Sequence, residues 1–188
     1  MVGMSQASSR TVILFNIALY YAGWLACVLG AARGQWIGGA LIGLALAMLH
    51  LGLSTQPRNE LRLMITVFLI GVAVDSIQTA LGLLRFDAGQ PVRWLAPVWI
   101  GVMWMLFAIT LRYAFHALDG RACLAALLGA VGGPAAFYAG HRLHAVQFHP
   151  TPGLSLFVLA LVWCALFPVL MRVAHGFGGG NAGAYRFS

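Results

Sequence analysis

The sequence predicts an all-α integral membrane protein, a six-transmembrane-helix antiparallel bundle with both termini in the cytoplasm. Three observations predict it. Of 188 residues, 61% are hydrophobic and only 8% are charged, where a soluble domain carries roughly a quarter charged residues. Six apolar runs reach the ~20 residues needed to cross a bilayer. Short polar or turn-forming links separate them.

The six runs are 11–32, 36–54, 61–84, 95–115, 121–140 and 154–174. The links are "RGQ", "TQPRNE", "RFDAGQPVRW", "HALDG" and "RLHAVQFHPTPG". Links this short force neighbouring helices to run antiparallel and leave no room for a soluble domain. We therefore expect one domain over 1–175 and a flexible Gly-rich tail over 176–188. No cleavage site closes the first run, so it reads as a retained anchor and not as a signal peptide.

Net charge is +7, from 11 arginines, no lysine and 4 acids. The arginines are scattered singly. That argues against a nucleic-acid surface and for topology signalling. Arg10, Arg58, Arg62, Arg112, Arg121, Arg172 and Arg186 collect on one side, against Arg33, Arg85, Arg93 and Arg142 on the other. Seven against four places both termini in the cytoplasm. Cys27, Cys123 and Cys164 are far apart in sequence and sit in apolar runs, as buried packing residues do.

In lipid, helices associate through small residues that allow close approach. Such stripes recur at spacings of three or four. The first helix aligns Asn16, Tyr20, Gly23, Cys27 and Gly30. The second aligns Gly39, Gly43, Ala47 and His50. The third aligns Gly71, Asp75, Gln78 and Gly82. The fifth aligns Gly129, Gly133, Ala136, Gly140 and His144. These faces are expected to pack inside one chain, with dimerisation as the alternative; the oligomeric state stays open. Pro134, after Gly132 and Gly133, removes a helical hydrogen bond and is expected to kink the fifth helix.

Asp75 is the one acid deep inside a run. A carboxylate there costs on the order of 3 kcal/mol on insertion scales, so it must face a partner or water and not lipid. It reads either as a structural clamp between helices or as a ligand or proton site. Gln78 lies one turn away. His141 and His144 emerge at the same outer end and, with Asp75, make a weak metal-ligand set. Asn16 and His50 form a separate inner pair, and His50 has no evident second histidine at its own depth with which to hold a haem. There is no P-loop, no GxSxG, no dinucleotide fingerprint and no CxxCH, so no cofactor is expected.

The fourth and fifth runs, "APVWIGVMWMLFAITLRYAFHAL" and "AALLGAVGGPAAFYAGHRLHAVQF", carry a resemblance. Pro97-x-Trp99, Trp104-x-x-Phe107 and the segment from Gly132-Gly133-Pro134 to Gly140 resemble the bacterial inner-membrane family catalogued as domain of unknown function two-eight-seven-eight. The resemblance runs from Asn16 to the last helix. It implies a compact multi-helix inner-membrane protein without an assigned activity. Members encoded beside cyclopropane-fatty-acid-synthase-like and flavin-oxidoreductase-like proteins imply a link to acyl-chain modification of envelope lipids. The family's segment is less rich in histidine, so His141 and His144 are particular to this chain.

Three functions follow as expectations. The first is a non-enzymatic partner that binds membrane lipids or scaffolds lipid-modifying proteins. The second is a small proton-linked transporter using Asp75. The third is an intramembrane metal-dependent hydrolase using Asp75, His141 and His144.

Overall fold

The structure, a computed structural model, describes residues 2–178, with side chains from 10 to 177. The six helices are α1 (Val2–Ala32), α2 (Trp36–Leu53), α3 (Pro57–Ala80), α4 (Val98–Leu111), α5 (Ala122–Arg142) and α6 (Pro152–Gly178). Two short strands, β1 (Leu84–Arg85) and β2 (Gln147–Phe148), and a 3-10 turn at His116–Leu118 complete the described elements. The first helix begins before residue 11, and the last runs through residues assigned above to the tail. The rest of that tail, 179–188, lies outside the described residues.

Five helices are long and apolar enough to cross a membrane; α4 is not. Of the six spans expected from sequence, the fourth is the one whose helix falls short. At 14 residues, α4 is about 21 Å long, short of the ~30 Å hydrocarbon core. Pro97 sets its start in extended backbone. Ten of its residues are buried, around its whole circumference. A helix apolar all round belongs in a core, and α4 packs against α1, α2, α3 and α6. The fourth apolar run therefore reports burial among helices and not exposure to lipid.

The third run also stops early. Gly82, at φ +75, ends α3, and the Leu83 amide donates to the Gln78 carbonyl across the turn. The chain then enters β1. Leu84 pairs with Phe148 and Arg85 with Gln147 in antiparallel register. The Ser155 hydroxyl on α6 reaches the Leu83 carbonyl at 2.9 Å. The links after α3 and α5 are thus joined at one end of the bundle. At the opposite end Arg112 meets Glu60 and Gln56, and His175 approaches Asp119 at 4.0 Å. Because the two ends are joined by different helix termini, the helices alternate in direction.

Glycines set the closest approaches. Gly39 lies on the α1 backbone at Ala26, and Gly43 on the Cys27 sulfur and Val102. A Cβ on Gly133 would fall within the Trp163 ring, whereas one on the adjacent Gly132 would meet nothing within 4 Å. Pro134 sits inside α5 and leaves the helix continuous. Gly133→Ala is therefore expected to cost about 1–3 kcal/mol through overpacking, while Gly132→Ala leaves stability unchanged. Thermal unfolding of both purified variants in one detergent checks this; equal midpoints would contradict the packing described.

Candidate binding cleft

Asp75 lies on the inner face of α3, 1% exposed. One carboxylate oxygen accepts the Trp104 indole N–H at 2.7 Å, and the other accepts the Gln78 amide at 3.2 Å. Gly71, one turn before Asp75, leaves the space in which the Trp104 ring lies. The other face of Trp104 stacks on Trp163 from α6, with centroids 5.1 Å apart and planes 9° from parallel. Gly133 of α5 backs Trp163. Two indoles are thus layered between two glycines and join α3, α4, α6 and α5. Phe107 stands edge-on to both rings.

Beside this stack is a cavity of about 750 Å³, within the ~300–1,000 Å³ of small-molecule sites. One wall is aromatic, with Tyr20 and Trp24 on α1 and Trp99, Trp104 and Phe107 on α4. The facing wall is α5, whose glycines and alanines from Gly129 to Gly140 present little side chain. The lining runs from Trp99 to Thr110 on α4 and from Leu128 to Gly140 on α5, about 17 and 18 Å of helix rise. The space is therefore elongated along the helices. It reaches the outer surface between α1 and α5, where the lining residues Tyr21 and Leu128 are 58% and 44% exposed. Asp75 is the one charged residue in the lining.

The expected histidine set does not assemble. Among the described residues, no three His, Cys, Asp or Glu side chains come together as a metal site. The His141 ring nitrogen meets the Val146 carbonyl at 3.1 Å, and its ring lies against Phe148. His144 has left α5: it holds the left-handed position after the helix end, φ +64, while Ala145 donates back to Gly140. Asp75 is turned toward α4. The proposed metal triad is corrected on this geometry.

Asn16 and His50 are both fully buried. Asn16 donates to the Ile109 carbonyl at 2.9 Å, satisfying an acceptor that the last turn of α4 leaves open. His50 meets Glu60. Its Nε2 lies 3.3 Å from Glu60, whose other oxygen accepts from Arg112 at 2.6 Å. Arg112 also donates to Gln56 at 3.1 Å, and Tyr113 packs edge-on to His50. Glu60 and Arg112 were missed because each ends or begins an apolar run and reads as a loop charge. The available signal was an acid and an arginine at the same end of adjacent helices.

A family model described as Protein of unknown function (DUF2878) matches residues 13–169. The chain belongs to this family. The DUF2878 match covers α2 to α5 entirely and includes every residue lining the cleft, as well as the Glu60–Arg112–His50 cluster. No curated protein and no solved structure matches the chain.

Removing one member of a buried ion pair leaves the other uncompensated, at about 3–5 kcal/mol. Arg112→Met is expected to lower stability by that amount. Adding Glu60→Gln should recover much of the loss, because the stranded charge is then gone. A double-mutant cycle on unfolding in detergent reads the coupling; simple additivity would count against the buried pair.

Proposed function

We propose that this protein is a non-enzymatic, multi-pass inner-membrane protein that holds an apolar lipid chain in the cleft between α1 and α5. The reading places it as a binding or scaffolding partner in acyl-chain metabolism of envelope lipids. The shape and lining of the cleft carry it. An elongated, lipid-facing groove with an aromatic wall and a bare glycine-alanine wall fits a chain lying along the helices. Each buried CH₂ contributes about 0.8 kcal/mol relative to water.

The up-down order of the helices supports both termini on one side, with α4 and its flanks making the short return crossing. Arg112 is consumed by Glu60, so six loop and terminal arginines against four still favour a cytoplasmic placement. A proton-linked transporter is the second reading, favoured by Asp75 lining the cleft. Its weakness is that both carboxylate oxygens already hold donors.

Two experiments test the proposal. A brominated long-chain alcohol, uncharged at its head, titrated into detergent-purified protein should quench tryptophan emission saturably, because Trp24, Trp99, Trp104 and Trp163 line the cleft. Gly132→Phe, placed in open space on the α5 wall, should abolish that quenching at an unchanged unfolding temperature. Quenching that never saturates, or that survives the filled cleft, would end the lipid-chain reading. For topology, a C-terminal green fluorescent fusion should glow and a C-terminal alkaline phosphatase fusion should be inactive; the reverse pattern would invert the orientation.

A further inference from the structure

Asp75 is the one acid in the cleft lining, and no basic residue stands in that lining among the described residues. Of the protein's four acids, Glu60 lies against Arg112 and His50, and Asp119 against His116 and His175. Asp87 is exposed to water and accepts from Gln147. Asp75 is buried and receives only the neutral Trp104 and Gln78 donors. Among the described residues, no arginine or histidine is paired with it. Among the described residues, no arginine lines the cleft either. A carboxylate in a low-dielectric membrane interior needs a counter-charge or a proton.

The walls around it suit a cation. Aromatic faces attract organic ammonium groups most strongly where water is excluded. Tyr20, Trp24, Trp99 and Phe107 line the same space as Asp75. Asp75 lies five residues from the end of α3, about 8 Å below it. Asp75 meets Trp104, midway along the α4 lining, so a head group at that level leaves about 9 Å of helix rise for a chain running toward the opposite end of the bundle.

We infer that the cleft takes a lipophilic organic cation, an apolar chain carrying an amine or quaternary ammonium group that lies against the aromatic wall with Asp75 as its counter-charge. This rests on the reading of the cleft as a lipid-chain site and adds the charge class of the occupant. Anionic heads are disfavoured by the same carboxylate.

The test uses two spin-labelled stearyl amphiphiles that differ only at the head, one trimethylammonium and one hydroxyl. Both are titrated against tryptophan emission of the full chain in a neutral detergent. The cationic probe is expected to bind about tenfold more tightly to the wild type. Asp75→Asn should abolish the difference, read as the ratio of the two affinities within that one variant, and Asp75→Glu should retain part of it. Equal affinities in the wild type overturn the inference but leave the lipid-chain reading standing; they are the result expected if a proton alone neutralises Asp75. This arm needs no variant to fold. A preference that survives Asp75→Asn also overturns it. If neither probe quenches saturably, the lipid-chain reading falls and the inference with it.

Discussion

The hydrogen bond from Trp104 to Asp75 is the interaction on which the rest of the arrangement depends. A carboxylate in the apolar interior has to be satisfied by the protein. The donor that reaches it belongs to a large flat ring on the central helix. That ring can lie close to α3 only because Gly71 offers no side chain. Its free face then takes Trp163 from α6, and Gly133 on α5 accommodates the second ring. One polar requirement on α3 thereby determines the spacing of four helices. The cleft is a by-product of the same geometry: bulky rings gather on one side, and the small residues of α5 leave the other side open.

The protein treats its two buried acids differently, and the difference follows from position. Glu60 is in the first turn of α3, close to the end where α2 and α4 finish. There Arg112, His50 and Gln56 converge on it. Such a pair is costly to desolvate and more costly to break, so it ties the ends of three helices together. Asp75 lies further along, where no helix ends and no cation is delivered among the described residues. It is held by neutral donors beside an apolar space. The first arrangement is closed upon itself. The second leaves a carboxyl group without a basic partner among the described residues, which is why the binding reading centres there.

The short central helix explains several other features. With α4 enclosed by four neighbours, the segment before it folds over its start, where Trp99 donates to the Ala88 carbonyl and Ala96 to the Ser76 hydroxyl. The two-strand pairing of Leu84–Arg85 with Gln147–Phe148 then locks this segment to the link before α6. These contacts satisfy backbone groups that a loop at a membrane boundary would otherwise leave open.

Hydropathy and small-residue periodicity alone determined much of the architecture. The helices, their order and the inward faces of Gly39, Gly43, Asp75, Gln78, Gly129 and Gly133 were all readable, because bilayer thickness and the 3.6-residue turn act on local sequence. Length along the fourth run was not readable, since an apolar residue facing lipid and one facing protein look the same. Nor could sequence show which polar side chains meet. Asp75 was visible as an expensive residue, but its partner lies 29 positions away on another helix. Glu60 and Arg112, 52 positions apart, looked like two loop charges. His141 and His144 were a weak ligand set with Asp75, and the end of α5 turns them elsewhere. Those meetings, and the cleft itself, were decided by tertiary structure, because ring stacking against glycines depends on how helices cross and not on the composition of any one of them.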